Sequence, residues 1–117
     1  MSPKRGDRAA PPAIGDEFEI RLATSESCQG REQLAAQAPG NLRRAYDVIR
    51  ADPRAKANPD RQHRLKGGLG SATWKGIPLE RWQYEVTGSG RIWYLIDDDQ
   101  RTVWIVYAGT GHPKATD

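Results

Sequence analysis

The segment from Arg81 to Tyr107 constrains the fold more strongly than any other part of the sequence. It holds three runs of alternating apolar and polar residues, separated by turn residues at 88–90 and 97–100. Such runs predict three consecutive β-strands. Three of the four Trp and three of the four Tyr residues lie in this segment. The rest of the chain is therefore expected to fold around these strands.

The first hairpin of this segment can pair in two registers. A two-residue turn at Gly88-Ser89 would leave both strand faces mixed and would place charge in any core. A three-residue loop with Gly90 at a position of positive φ makes one face wholly apolar, and we predict this register because burying charges is costly. Its cross-strand pairs are Val86 with Ile92, Tyr84 with Tyr94 and Trp82 with Ile96. Its other face carries Arg81, Gln83, Glu85, Thr87, Arg91 and Trp93.

The chain of 117 residues is long enough for one domain with a single core. Residues 1–15 contain three prolines, two glycines and few apolar residues, so we predict a disordered leader there and one domain over residues 16–117. The lone Cys28 excludes an internal disulfide and a Cys-rich zinc site. No apolar run is long enough for a signal peptide or a membrane span. We therefore expect a cytoplasmic protein with no membrane partner.

Apolar spacing before the aromatic segment predicts one strand and two helices. Residues 17–22 alternate as in a half-buried strand. A short helix ends at Pro39-Gly40, and a second helix, capped by Asn41, runs to Pro53. We predict an α+β fold in β-α-α-β-β-β order, with a small antiparallel sheet covered on one face by the helical hairpin. Residues 63–66 could add a short strand at the sheet edge.

Basic residues are concentrated between Arg43 and Lys66, where eight Lys and Arg residues accompany three Asp residues. The net charge is only +3, so the distribution is more informative than the sum. A basic band beside a neutral body suits a polyanionic partner. Within the band, Arg64 is a candidate for binding RNA, and Lys66 could neutralise a phosphate or could simply be solvated. The glycines after Lys66 are better explained as a connector than as a nucleotide-binding loop, because no GK[ST] motif follows.

Arg91 is the strongest single candidate for a catalytic or phosphate-binding residue. It follows Gly90 at the start of a strand, where a rigid guanidinium could bind a phosphate through two N–H groups. The alternative is a strand-end Arg paired with Glu85. Glu85 could act as a general base at a 2′-hydroxyl or could serve only as the partner of Arg91. Trp93, on the same face, could stack on a base or pack across the strands.

The two histidines are candidates for proton transfer. His112 lies between Gly111 and Pro113, and an imidazole is a natural proton donor for a leaving oxygen near neutral pH. The alternative for His112 is a solvated surface residue. His63 is the other histidine, and the two do not have metal-ligand spacing. We predict no metal site and no cofactor.

Together these elements resemble the RelE/ParE superfamily of toxins from type II toxin–antitoxin systems, in particular its RelE and YoeB branch. The resemblance runs from about Phe18 to Lys114. It rests on the LKG motif at 65–67, GRIWY at 90–94 and GHPK near the end of the chain. It implies a small twisted antiparallel sheet whose concave face cleaves mRNA, commonly on the ribosome. It also implies a cognate antitoxin as partner, and it leaves the oligomeric state open.

The resemblance implies roles for individual residues. Arg91 matches the catalytic Arg of the family, and Lys66 matches the Lys of its LK pair. His112 falls where this branch has a catalytic His or Arg. Arg81 and Lys114 are further candidates for stabilising charge on the phosphate.

The sequence also departs from the family pattern around the general base. Gln83 and Glu85 replace the lysines on the strand before the catalytic Arg, and His63 replaces an acidic residue upstream of the LK pair. A terminal catalytic Tyr is missing near Pro113. The base is therefore either Glu85 or His63.

Three functions are compatible with these residues. The first is a metal-independent endoribonuclease that cleaves mRNA through attack by the ribose 2′-hydroxyl. The second is a non-enzymatic toxin, resembling ParE, that binds DNA gyrase. The third is an RNA-binding module that uses the basic band and Trp93 without catalysis. The occurrence of Lys66, Arg91 and His112 together favours the first, because a pure binder needs no proton donor.

Overall fold

The computed structural model describes residues 3–111 and 113. Within these residues there are two helices and six strands: β1 (Glu19–Leu22), α1 (Ser25–Gln37), α2 (Pro39–Ala51), β2 (Gln62–Arg64), β3 (Ser71–Trp74), β4 (Ile77–Glu85), β5 (Arg91–Asp97) and β6 (Thr102–Gly109). A 3₁₀ turn at Gly67–Gly70 precedes β3. In this described part of the chain, neither helix is long and apolar enough to cross a membrane.

The six strands form one sheet in the order β1-β6-β5-β4-β2, and β3 pairs with the first half of β4. The predicted α+β class is confirmed, with the helical hairpin packed against the sheet. Strand β1 runs parallel to β6, so the sheet is mixed and not wholly antiparallel. No local turn relates these two strands, because the rest of the domain separates them in sequence. Strand β2 overlaps the predicted edge strand, whereas β3 was not predicted.

Helix α1 has a capping box at its start, and α2 begins before the cap predicted for it at Asn41. Thr24 caps α1, because its Oγ1 accepts a hydrogen bond from Ser27 N at 3.0 Å and Ser27 Oγ accepts one from Thr24 N at 3.2 Å. Helix α2 begins at Pro39, whose fixed φ suits the first helical turn. Asn41 is therefore not a cap. Its side-chain amide donates to Val86 O at 3.0 Å and ties α2 to the end of β4.

The observed register of the β4–β5 hairpin differs from both registers considered for it. Glu85 pairs with Arg91, Tyr84 with Ile92 and Trp82 with Tyr94. This register is shifted by two residues from the predicted one. Side chains alternate with a period of two, so a shift of two leaves every residue on its predicted face. The apolar face accordingly supplies buried core residues, including Trp82, Tyr84, Val86, Ile92, Tyr94 and Ile96.

Gly90 is required for a reason other than the predicted one. It does not have a positive φ. A Cβ at this position would lie 2.8 Å from Thr87 Oγ1 and 3.0 Å from Leu34 Cδ2. Thr87 Oγ1 accepts a hydrogen bond from Gly90 N at 2.7 Å, and Val86 N donates to Gly90 O at 2.9 Å. These bonds close a loop of residues 87–89 and set the register.

The segment before β1 lies along the sheet edge, which differs from the disordered leader predicted for residues 1–15. Gly6 N donates to Leu22 O at 2.6 Å, Leu22 N donates to Asp7 O at 2.9 Å, and Ala9 N donates to Ile20 O at 2.8 Å. Ala9 is buried. The segment satisfies backbone groups of β1 that an edge strand would otherwise expose. Composition does not indicate this, because the pairing uses backbone atoms.

Candidate functional site

One face of the sheet is turned away from the helical hairpin, and we call it the open face. It is defined by the strand partners Glu85 and Arg91, Gln83 and Trp93, and Arg81 and Leu95. Partners that face each other in an antiparallel pair project to the same side. His63 joins the same face as the partner of Gln83, and β6 contributes Trp104 and Tyr107.

Arg91 is buried at the end of the open face, with 7% of its surface exposed. Its Nη1 donates hydrogen bonds to the carbonyl oxygens of Thr87, Gly88 and Gly90, at 3.0, 3.3 and 3.0 Å. All three carbonyls belong to the β4–β5 connection. The guanidinium is thus fixed by the turn that precedes its own strand, and its position depends on the shape of that turn.

Glu85 is the cross-strand neighbour of Arg91. Its Oε1 lies 3.9 Å from Arg91 Nη1, which is close enough for an ion pair but too far for a direct hydrogen bond. The Glu85 side chain is 30% exposed, so the carboxylate is accessible to solvent. Its backbone is held on both sides by Arg61, because Glu85 N donates to Arg61 O at 2.7 Å and Arg61 Nη1 donates to Glu85 O at 3.0 Å.

Trp93 packs within the open face, and only 5% of it is exposed. Its Nε1 donates to Gln83 Oε1 at 2.8 Å, and the Arg81 guanidinium lies over its ring at 5.3 Å. The Tyr107 ring meets it edge-on with centroids 6.2 Å apart. Arg81 Nε also donates to Leu69 O at 2.8 Å, and burial lowers the pKa of Arg81. Trp93 thus contacts Gln83 on β4 and Tyr107 on β6.

The two candidate residues on β2, His63 and Arg64, are neighbours in the strand and therefore project to opposite faces of the sheet. His63 faces the same side as Gln83, and its Nδ1 lies 3.1 Å from Pro59 O. Arg64 faces the side of Trp82, and it binds Gly70 O and Ser71 Oγ, each at 2.9 Å. Lys66 is exposed just before the 3₁₀ turn. The structure therefore brings His63 to the open face, whereas Arg64 is engaged in holding the following turn.

His112 and Lys114 lie outside the described residues. The chain that leads to them is held at the Arg91 end of the sheet. Ser89 Oγ donates to Thr110 O at 2.7 Å, and Tyr107 OH donates to Gly111 O at 2.9 Å. Ser89 belongs to the same loop whose carbonyls accept hydrogen bonds from Arg91. This loop therefore contacts both Arg91 and the segment that leads to His112.

An aromatic pair that no sequence pattern indicates lies at the other end of the open face. Trp74 on β3 and Trp104 on β6 have ring centroids 5.0 Å apart, and Lys75 Nζ lies over both rings. The pair was missed because β3 was not predicted. Among residues 3–111 and 113, no group of three or more His, Cys, Asp or Glu residues could hold a metal ion.

Comparison with known proteins identifies the fold. No protein-family model matches the sequence, and no curated protein sequence matches it either. A chain of the toxin–antitoxin complex RelBE2 from Mycobacterium tuberculosis aligns with a TM-score of 0.54 and 17% identity, over 80% of this chain and 96% of that one. This chain shares its fold with that protein. A metal-bound toxin from Helicobacter pylori aligns with a TM-score of 0.53 and 19% identity, over 80% of this chain and 92% of that one.

The RelE-like resemblance inferred from the sequence is thereby confirmed for the fold. Sequence identities of 17% and 19% establish a similar fold but not a similar activity. The chemistry of the open face therefore depends on its own residues.

Proposed function

We propose that this protein is the toxin of a type II toxin–antitoxin system and that it cleaves mRNA as a metal-independent endoribonuclease. The observation that carries the proposal is the Arg91–Glu85 pair on the open face of a RelE-like fold. A buried guanidinium fixed by three carbonyls suits stabilisation of developing phosphate charge, because it needs little reorganisation during the reaction.

In the proposed reaction, the 2′-oxygen of a ribose forms a bond to the adjacent phosphorus, and the bond from phosphorus to the 5′-oxygen breaks. Glu85 takes the proton from the 2′-hydroxyl, and His63 is the alternative base on the same face. The partly exposed Glu85 carboxylate is compatible with contact to RNA. The products are a 2′,3′-cyclic phosphate and a 5′-hydroxyl.

Arg91 stabilises the negative charge on the pentacoordinate phosphorus, and Lys66, Arg81 and Lys114 are the supporting cations. His112 protonates the departing 5′-oxygen. The chain that leads to His112 is held by Ser89 next to the turn that holds Arg91, which supports this assignment. The 2′-hydroxyl supplies the nucleophile, so the reaction requires no metal ion.

The partners follow from the same proposal. The toxin binds a cognate antitoxin, as the similarity to a chain of the RelBE2 toxin–antitoxin complex suggests. Its substrate is mRNA in the cytoplasm, on the ribosome. Trp93 and Arg64 contribute mainly by supporting neighbouring groups, since Trp93 is buried and Arg64 holds the turn before β3.

The test is RNA cleavage in the presence of a chelator and ribosomes by the wild type and by Arg91→Ala, Glu85→Gln and His112→Ala. Arg91→Ala should lower the rate about 10²- to 10³-fold. His112→Ala should lower it about 10²-fold or more. Arg5→Ala, at an exposed position before β1 and outside the basic band, is the control and should leave the rate unchanged. Undiminished cleavage by both Arg91→Ala and His112→Ala would remove the assignment.

The same experiment separates the other two functions. Intact RNA together with stalled gyrase–DNA complexes in expressing cells would select a ParE-like toxin. Salt-dependent RNA binding without strand breaks would select an RNA-binding module.

A further inference from the structure

The hairpin that joins β3 and β4 has an unusual residue at its tip. Its two-residue turn is Lys75-Gly76, and both residues have positive φ, 51° and 81°. Such turns favour Asn or Asp at the first position and Gly at the second. A long side chain in the left-handed region is uncommon, and such backbone outliers cluster at functional sites.

This hairpin folds across the open face to reach β6. Strand β3 pairs only with β4, whereas Trp104 lies on β6 with β5 between them. Nevertheless the rings of Trp74 and Trp104 are 5.0 Å apart at an angle of 39°. Lys75 Nζ lies 5.6 Å from the Trp74 ring and 5.1 Å from the Trp104 ring. The left-handed turn therefore places a cation over two indole rings.

The indole N–H groups of this pair have no hydrogen-bond partner within the described residues, although both nitrogens are buried. The other two tryptophans differ, because Trp82 Nε1 donates to Glu80 Oε1 at 3.0 Å and Trp93 Nε1 donates to Gln83 Oε1 at 2.8 Å. Buried donors are nearly always satisfied, so the lack of an acceptor among the described residues distinguishes this pair from the other two tryptophans.

A cavity of about 530 Å³ adjoins the pair, which is within the size range of small-ligand pockets. Its lining includes Arg21, Trp74, Lys75, Asp97, Thr102 and Trp104. Glu19 also lines it, but its carboxylate is engaged by Arg8 at 3.0 Å and by Ala13 N at 3.2 Å. Asp97 Oδ1 accepts from Gln100 N at 3.2 Å. The cavity thus combines aromatic faces with two cations, Lys75 and Arg21, and with the two carboxylates. Arg21 Nη1 donates to Gly6 O at 2.8 Å, so Lys75 is the cation proposed to contact a ligand.

We propose that this cavity is a subsite for one base of single-stranded RNA, with Lys75 binding a neighbouring phosphate. A nucleobase has a π-face that can stack on the indole rings. Strand geometry places Leu95, the strand partner of Trp104, about 13 Å along β5 from Arg91, on the same face. The subsite would bind an RNA nucleotide some distance from the cleaved phosphate. The inference therefore rests on the proposed ribonuclease function.

The first test is an NMR titration of the indole N–H signals of the full chain with a short DNA oligonucleotide. Such a strand lacks the 2′-hydroxyl and cannot be cleaved by the proposed reaction. The signals of Trp74 and Trp104 should shift, whereas that of Trp82, which lies in the core, should stay in place. If the Trp74 and Trp104 signals do not move at millimolar oligonucleotide, the subsite does not exist.

The second test uses Lys75→Asn, which suits the left-handed turn, and Lys4→Asn as a control with the same charge change at an exposed position before β1, outside the basic band. Lys75→Asn should flatten the dependence of log affinity on log salt by about 0.7, as expected for one phosphate contact. Equal effects of the two variants would overturn the role of Lys75.

The third test removes single bases from the oligonucleotide. For the wild type, one abasic position should weaken binding about tenfold, and this loss should disappear in Trp104→Leu. A purely structural role for the aromatic pair would leave the abasic effect unchanged, and that result would overturn the proposal.

The two proposals can fail separately. Indole shifts without RNA cleavage would reject the ribonuclease and retain the base-binding subsite. Cleavage without indole shifts would reject the subsite and retain the ribonuclease.

Discussion

The Arg91 guanidinium lies 3.9 Å from the Glu85 carboxylate while it donates to three backbone carbonyls of the connection between β4 and β5. The pair faces the side of the sheet that the helices leave open. The position of the Arg91 guanidinium is therefore determined by the backbone of this connection as well as by the Glu85 carboxylate. The function of the cation should therefore depend on the shape of its side chain as well as on its charge.

Arg91→Lys should lose most of the cleavage activity, although it keeps the charge. A lysine ammonium has neither the planar fork nor the reach of a guanidinium that donates to several carbonyls at once. We expect a rate loss of about 10²-fold. The measurement is cleavage of a defined mRNA, with Arg43→Lys on the exposed face of α2 as the matched control. A rate near that of wild type would show that charge alone is sufficient.

Gly30→Ala should severely destabilise the fold. A Cβ at this position of α1 would lie 1.5 Å from Ala108 O on β6, so the helix could not keep its distance from the sheet. We expect a loss of about 3 kcal/mol or more in the free energy of unfolding, measured with urea. Gly40→Ala is the control, because open space surrounds that position in α2, and it should be neutral or stabilising by about 0.5–1 kcal/mol. Equal stabilities of the two variants would contradict the close packing.

Tyr94→Phe should cost about 1–3 kcal/mol of stability. The hydroxyl of this fully buried residue donates to Pro53 O at 2.7 Å and accepts from Gln62 Nε2 at 3.0 Å. Removing it leaves a buried carbonyl and a buried amide with fewer partners. The measurement is thermal or urea unfolding. An unchanged midpoint would indicate that water replaces the hydroxyl.

Arg54→Gln should weaken the fold in a pH-dependent way. Hydrogen bonds from Arg54 hold the pKa of Asp98 below its ordinary value of 3.8. Burial raises the pKa of Glu80, but hydrogen bonds from Arg54 and Trp82 outweigh it and keep that pKa below 4.5. Both folded-state pKa values are depressed, so this stabilisation is present above the unfolded-state values and is lost as the pH falls through the folded-state values.

The three side chains are partly exposed, so we expect a difference of about 1 kcal/mol or less between wild type and Arg54→Gln at neutral pH. The difference should shrink as the pH falls below about 4. Urea unfolding of both proteins at neutral and acidic pH measures it. A difference that grows in acid would have the opposite sign from that expected for these carboxylates.

Much of the sheet could be predicted from sequence because alternation with a period of two assigns faces without fixing the register. The residues of the apolar face were therefore predicted correctly, although the predicted register differed from the observed one by two residues. The register depends on the hydrogen bond from Gly90 N to Thr87 Oγ1, which places Thr87 in the loop. The alternation of apolar and polar residues contains no information about such a bond.

The candidate site was predictable only in part for a similar reason. Glu85 and Arg91 are neighbours across a local hairpin, so their proximity follows from short-range pairing. Trp74 and Trp104 meet only because the β3–β4 hairpin bends across the sheet, and β3 is short, largely exposed and follows a run of glycines. No local pattern relates residues 74 and 104.

The proposed ribonuclease function is tested most directly by identifying the ends of RNA cut by the purified protein with ribosomes and chelator present. A matched RNA with a single 2′-deoxyribose at the cleavage position serves as control. Attack by the 2′-hydroxyl should leave a 2′,3′-cyclic phosphate or its opened product and a 5′-hydroxyl, with no cutting at the deoxyribose. Cleavage at the deoxyribose, or ends that carry a 5′-phosphate, would contradict it.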